Sequence, residues 1–291
     1  VTTTLVDGDL VAYRCAASAE KDEEFVAFAR ANKTLQDIVS ATGCDSIDVF
    51  LSGSTNFRYA IYPEYKANRR DMVRPRHLET VREFLVTKWG AKVTDGYEAD
   101  DAIGIHMVGE TICCSLDKDL KQLPGNHYNF VTGLWDTVSE LDGWRNFYTQ
   151  LVLGDRADNV PGYDGKMRPK FPKFLAAVRD ELACASELSG MHDCVDRLYQ
   201  DKEALIRNAR LLYVWRKEND SWQPPQTKAE ATSVEKHAEE VKSVSMRMMV
   251  GEIIPSTGRG GTKPKKGGYR RRGQSTGSVR RKTSRANSTS T

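Results

Sequence analysis

The stretch that most constrains this chain runs from Gly96 to Asp119. It reads Gly96-Tyr97-Glu98-Ala99-Asp100-Asp101, continues through the apolar Ala102, Ile103, Ile105 and Met107, and arrives at Thr111-Ile112-Cys113-Cys114-Ser115-Leu116-Asp117-Lys118-Asp119. Carboxylates therefore gather in two tight clusters joined by a helical and then a strand-like run. One or two acids at a helix start are ordinary, because the positive end of the helix dipole favours them. Three there, followed by two more after the next strand, exceed what capping needs. An Asp-x-Asp closing a parallel strand points into the crevice at the strands' carboxyl ends, where open α/β sheets bind ligands. Acids converging there repel one another unless a cation joins them, and hard divalent ions such as Mg²⁺ take oxygen ligands of this kind. A solvated acidic rim is the competing reading.

The flanking sequence repeats the pattern. Thr3-Thr4-Leu5-Val6 reads as a strand ending on Asp7-Gly8-Asp9, with helical composition after it. Taken alone, Asp7 is as good a helix N-cap as a ligand. Helical spacing of Phe25, Val26, Phe28, Leu35, Ile38 and Val39 predicts a helix over 23–41, and Ile47 to Leu51 a strand. A helix from His77 to Trp89, a strand at 91–93, short strands at Tyr128–Val131 and Trp135–Val138 and a helix from Trp144 to Gly154 complete an alternating body. Between Arg58 and Arg76 six cations alternate with Tyr59, Tyr62 and Tyr65, a mixture suited to phosphates and unstacked bases, or to a solvated loop.

Gly154-Asp155-Arg156-Ala157-Asp158-Asn159-Val160-Pro161-Gly162 follows, with Asp155 and Asp158 three apart and facing alike on a helical turn. Lys166, Arg168, Lys170 and Lys173 come next, among glycines and prolines that allow backbone N–H groups to approach phosphates. Helices are expected over 174–182, 191–199 and 204–215. His106, His127 and His192 show no ligand spacing.

Net charge is +3 but segregated: eleven of the 43 basic residues and no acids lie beyond Ser256, leaving 32 basic against 40 acidic residues before it, a balance of −8. That tail is Gly, Ser, Thr, Lys and Arg and is expected to be a disordered, polyanion-seeking arm. The six cysteines include no Cys-x-x-Cys pair, which argues against zinc and a disulfide framework. No apolar run is long enough to span a bilayer and no signal pattern opens the chain, so a cytoplasmic protein without membrane contact is expected.

Five segments, in order, resemble the 5′→3′ exonuclease and flap endonuclease family, most closely its bacteriophage replication members. They are Leu5-Val6-Asp7-Gly8, Tyr62-Pro63-Glu64-Tyr65-Lys66-Ala67-Asn68-Arg69, Gly96 to Asp101, Ser115 to Asp119, and Gly154 to Gly162. The resemblance implies an α/β fold: a twisted, mostly parallel sheet with flanking helices in a PIN-like nuclease core. It also implies a helical arch at about 58–76 and a helix–turns–helix region. The expected divisions are 1–150 for the core with its arch, 151–225 for the DNA-binding region, and 226–291 for a polar linker and basic tail.

By the same resemblance two Mg²⁺ ions, replaceable by Mn²⁺, are held by Asp7, Glu98, Asp100 and Asp101 and by Asp117, Asp119, Asp155 and Asp158. Lys66 and Arg69 would act on the scissile phosphate. Arg58, Tyr65, Lys166, Arg168, Lys170 and Lys173 would contact DNA, and K⁺ would sit in the helix–turns–helix turn. The implied substrates are DNA 5′ ends, flaps and RNA primers in phage replication, handled by a monomer in the host cytoplasm. The family has an Asp near Ser52 or Gly53 that this chain lacks. An RNA-specific PIN-like ribonuclease and a non-catalytic DNA-binding replication factor are the alternatives.

Overall fold

The computed structural model describes residues 1–225; the polar linker and basic disordered tail expected for 226–291 lie outside the described residues. The chain opens with β1 (Thr3–Asp7), α1 (Gly8–Ser18), α2 (Glu24–Thr42) and β2 (Ser46–Leu51), followed by the short α3 (Phe57–Ile61). Next come α4 (Leu78–Trp89), β3 (Lys92–Val93), α5 (Ala99–His106), β4 (Thr111–Cys114) and the hairpin of β5 (Gly125–Asn129) and β6 (Leu134–Val138). The remainder is α6 (Glu140–Leu153), the two-residue strands β7 (Gly154–Asp155) and β8 (Val160–Pro161), then α7 (Ala176–Cys184), α8 (Leu188–Asp196) and α9 (Lys202–Leu212).

Helix ends follow local chemistry. The Asp7 carboxylate accepts from the Leu10 N–H at the start of α1, and Gly43, at φ +58°, closes α2 in the left-handed region that glycine enters without steric cost.

Six strands form one sheet in the order β3-β2-β1-β4-β5-β6. All neighbours are parallel except the β5–β6 hairpin. Successive side chains face opposite ways. Val6, Val49, Leu51, Ile112 and Cys114 therefore pack on one face against α1, α2 and α4, while Leu5, Phe50 and Cys113 pack on the other against α5. Each such side chain, fully withdrawn from water, contributes roughly 1.5–3 kcal/mol. Cys113 and Cys114 are buried as small apolar residues, and all six cysteines are free. A third core joins α6 to α9 and takes in Tyr65. The expected division at 150 runs through α6.

Strand order reverses between β1 and β4, because β2 and β3 build outward on one side and β4 to β6 on the other. This is the switch point whose crevice takes ligands in open α/β sheets. Over the expected arch segment, helix is confined to α3 and a single 3₁₀ turn at Ala67–Arg69. Among the described residues, no helix is long and apolar enough to cross a membrane.

Candidate active site

Asp7 ends β1 at the switch point and is almost fully buried. One carboxylate oxygen caps α1; the other accepts from the Ser115 hydroxyl at 3.0 Å. The same hydroxyl accepts from the Asp117 N–H at 3.0 Å, so Ser115, just past β4, ties the two acids into one frame. β4 itself stops at Cys114, and Asp117 stands in the loop beyond it. Burial, then the neighbouring Asp9 and Asp117 charges, push the Asp7 pKa up to about 7. Asp100, on the first turn of α5, is also raised well above the usual carboxylate range by burial and by Asp7, Asp117 and Glu98.

Ser52, near where the resemblance implies an Asp, accepts the Ala99 N–H on its hydroxyl at 2.9 Å and so caps α5. The Ser52 N–H donates to Asp9 at 2.9 Å, and Asp9 is paired with Arg82. Asp9 was not among the expected site residues, yet it lines the acidic cavity. Its alternation with Asp7, the same spacing as Asp117 and Asp119, was the available signal.

Three expected site residues have other work. Asp101 has no exposure and receives the Arg58 guanidinium in a bidentate pair at 2.5 and 2.8 Å, together with the N–H groups of Glu98 and Trp215 at 3.1 Å each. Arg58 is 3 % exposed and also donates to the carbonyls of Leu211 and Tyr213. A carboxylate so saturated is not a metal ligand, and an arginine so enclosed does not reach DNA. The pair locks α5 to the segment after α9. Tyr65 is 1 % exposed, and its hydroxyl donates to Asp158 at 2.7 Å and lies 3.0 Å from Glu98. It presents no face for a base; it is a buried strut between two acids.

Lys66 and Arg69 do lean into the site. The Lys66 ammonium pairs with Glu98 and stands 3.8 Å from Asp158, while Arg69 donates to Asp158 at 2.7 Å. Burial works to raise the Glu98 pKa, but Lys66 and Arg58 outweigh it and hold Glu98 ionised below its ordinary value. The backbone fixes these cations. Lys66 sits at φ +53° with its N–H on the Asp158 carbonyl, and Asn159, at φ +57°, sends its amide to the Glu64 carbonyl at 2.8 Å. Asn68 and Arg69 add donors to the carbonyls of Arg156 and Ala157 at 2.8 and 3.0 Å. Two non-glycine residues in the left-handed region persist only when surrounding bonds over-determine them, as here.

Asp155 and Asp158 are delivered by the turn between β7 and β8. Gly154 opens it at φ +74°, and a Cβ there would collide with the backbone of Gly162. Asp155 caps the turn through the N–H groups of Ala157 and Asp158. Its other oxygen meets Lys118, which also pairs with Asp119 at 2.9 Å, and Gln150, which bonds both acids at 3.1 and 2.8 Å. Burial and the Asp117 charge push Asp119 up to about 6.

Seven of the eight expected acids (all but Asp101), with Asp9, Lys66, Arg69 and Lys118, line one cavity of about 170 Å³. The acids fall into two kinds. Glu98, Asp119, Asp155 and Asp158 are ion-paired to lysine or arginine. Asp7, Asp100 and Asp117 form no such pair among the described residues; besides burial, the Asp117 charge helps raise the pKa of Asp7, and the Asp7 and Asp117 charges that of Asp100. Among the described residues no three of the acids stand close enough to hold a metal ion as they are. Clustered oxygen donors kept apart by mutual repulsion are nevertheless the chemistry a hard divalent cation relieves.

The cavity continues into a cleft of about 800 Å³ lined by Asp119, Asp155, Lys166 and Arg168. Lys170 and Lys173 are exposed nearby in sequence but do not line it. Arg168 is clamped by Asp164 at 2.6 and 2.5 Å. In the turn expected to hold K⁺, the carbonyls of Gly162 and Lys166 each accept one backbone N–H group and the Asp164 carboxylate is held by Arg168.

A mostly parallel α/β domain with an acid-lined crevice at its switch point, and cations clasped across it, defines a nuclease-type fold and site. The family described as 5′-3′ exonuclease, N-terminal resolvase-like domain, matches residues 2–148, and this chain belongs to it. A 5′-3′ exonuclease of Buchnera aphidicola (subspecies Schizaphis graminum) is 27% identical over 231 residues, covering 71% of this chain and 77% of its own length. DNA polymerase I of Pseudomonas aeruginosa is 30% identical over 137 residues, 40% of this chain and 15% of that protein. The bacteriophage T5 5′-exonuclease, solved with divalent zinc ions, superposes with a TM-score of 0.53 at 18% identity, over 73% of this chain and 89% of that one. The T5 flap endonuclease solved with DNA and metal ions gives 0.51 at the same identity and coverage. These structural likenesses speak to the fold.

Proposed function

We propose that this protein is a divalent-metal-dependent 5′ nuclease that hydrolyses phosphodiester bonds near the 5′ ends of DNA, including flaps and RNA-primed strands. The observation that carries the reading is the shared cavity: Asp7, Asp100 and Asp117, without ion-pair partners among the described residues, next to cationic Lys66 and Arg69. Family membership supports it. Asp7, Asp100 and Asp117 would hold one ion, and Asp119, Asp155 and Asp158 a second. When bound, such ions acidify an attacking water and stabilise phosphate oxygens on both sides of the bond. Mg²⁺ is the natural choice, with Mn²⁺ able to replace it.

The chain's own residues supply the rest. Lys66 and Arg69 turn from Glu98 and Asp158 toward an incoming phosphate, offsetting charge that grows as the bond breaks. Gln150 holds Asp119 and Asp155 in register. Lys166 and Arg168 place the duplex backbone along the 800 Å³ cleft. Removal of primers and 5′-ended strands during replication, in a phage-infected or bacterial cell, is the role this chemistry suits.

A Mg²⁺ titration against duplexes labelled at the 5′ or the 3′ end tests the proposal. Early release of the 5′ label with chelator-sensitive kinetics supports it. Binding that leaves the DNA whole at every Mg²⁺ concentration refutes it.

A further inference from the structure

Helix α6 meets the site along one face. Gly143, Asn146 and Gln150 recur at helical spacing, and each touches the 3₁₀ turn Asp119–Gln122 that follows the Asp117 loop. A Cβ at Gly143 would lie 2.4 Å from the Gln122 carbonyl oxygen, so glycine is what lets the helix come this close. Asn146 donates to the Lys121 carbonyl at 2.8 Å. The approach brings the Gln150 amide within reach of Asp119 and Asp155, to which Nε2 donates at 2.8 and 3.1 Å.

An amide side chain has two end-for-end orientations, and one alone serves those acids. With Nε2 toward them, Gln150 gives each acid a hydrogen. With Oε1 toward them, it would set a further oxygen against two carboxylates. Gln122 fixes the choice. It is 2% exposed, and its Nε2 spends both hydrogens, on Gln150 Oε1 at 2.9 Å and on the Leu212 carbonyl at 2.8 Å. Its own Oε1 accepts from the Val214 N–H at 3.4 Å. Backbone groups do not exchange roles, since a carbonyl accepts and an N–H donates. The segment after α9 therefore orients Gln122, Gln122 orients Gln150, and Gln150 presents two donors to the acids. Lys118 holds the same two acids from the exposed side on a flexible stem. The buried amides hold them from within.

We propose that Gln122 is a positioning residue for the second divalent ion, the one assigned to Asp119, Asp155 and Asp158, and that it acts through Gln150. Donors behind a ligating carboxylate fix which of its lone pairs face the ion, and losing such a donor typically lowers metal affinity by about 10–100-fold. The assignment rests on the nuclease reading above.

The test is calorimetric titration of Mg²⁺ into the metal-free full chain for the wild type, Gln122→Met, Gln150→Met and the double variant. Gln150→Met should weaken the uptake of one ion about tenfold, and Gln122→Met at least threefold. The double variant should match Gln150→Met alone, because a residue that works through Gln150 then has nothing left to orient. Losses that multiply in the double variant would assign Gln122 to general packing and overturn the proposal. So would wild-type affinity in either single variant. Gln122→Asn keeps the amide on a shorter stem that falls short of Gln150, and it replaces Gln122→Met, with the same outcomes, if circular dichroism shows the latter unfolded. A wild type that takes up no Mg²⁺ overturns the nuclease reading as well, which separates the two failures.

Discussion

The main-chain N–H of Lys66 donates to the carbonyl oxygen of Asp158 at 2.9 Å, so the segment bearing the site's cations is bolted to the turn bearing two of its acids. Asn159 returns the bond through its amide to Glu64. The consequence is geometric: the backbone of the 64–69 segment cannot drift from the turn at 156–159 without breaking hydrogen bonds that also hold Lys66 and Asn159 at positive φ, while the Lys66 and Arg69 side chains stay able to swing.

Lys66→Ala should lower kcat by about 10²–10³, the usual cost of removing a donor aimed at developing charge. Duplex affinity in Ca²⁺ should change little. Single-turnover cleavage and anisotropy together check this, and equal loss in both would assign Lys66 to binding alone.

Asn159→Ala removes the return bond and places alanine at φ +57°, where a Cβ is strained. The expected result is a fall in kcat with KM nearly unchanged, and faster tryptic cleavage at Arg69 and Arg70. Asn159→Gly relieves the strain but not the lost bond, so it should recover stability and leave kcat low.

The buried pair predicts the opposite kind of defect. Arg58→Met strips Asp101 of its counter-ion inside the core, a change that typically costs about 3–5 kcal/mol. Denaturant unfolding should show the loss. Asp117→Asn, which relieves repulsion instead, should leave the metal-free protein at least as stable as the wild type.

Stability should also depend on pH in a direction set by Asp7. Its folded pKa of about 7 lies above the ordinary 3.8, so between these values the native chain holds a proton that the unfolded chain has released. The stabilisation is present at low pH and is lost as pH rises through about 7. Asp119, raised to about 6, acts in the same sense. Thermal melts of metal-free protein should give a lower Tm at pH 8 than at pH 5.5, apart from any general acid unfolding. Since metal binding needs ionised carboxylates, the Mg²⁺-induced rise in Tm should be larger at pH 8.

Sequence periodicity was enough to place β1, β2, β4 and most helices, because the buried faces repeat at 2 or near 3.6 residues over several turns. It was weaker where pairing decides the element. The strand expected at 128–131 is instead Gly125–Asn129, since Asn129 begins the turn that its side chain closes on Val131 and Thr132. The acids of the site were legible as a set, but their individual roles were not. Asp100 and Asp101 are neighbours in a helix, yet one faces the cavity and the other faces Arg58, 43 residues away. Nothing local in Tyr65 or Arg58 says that carbonyls at 211 and 213 or the core of α6 to α9 will enclose them. Burial of a cation or an aromatic is a property of the assembled chain, and a basic, tyrosine-rich segment reads the same either way.

The central claim is that Asp7, Asp100 and Asp117 form a cation site that cleavage requires. Calorimetric titration of Mg²⁺ into wild type and into Asp117→Ala at pH 8, each followed by a 5′-labelled digest of the same sample, tests it most directly. The account predicts Mg²⁺ uptake by the wild type, at least a tenfold weaker interaction in the variant, and cleavage by the wild type alone. A variant that takes up Mg²⁺ and cuts as the wild type does would contradict it.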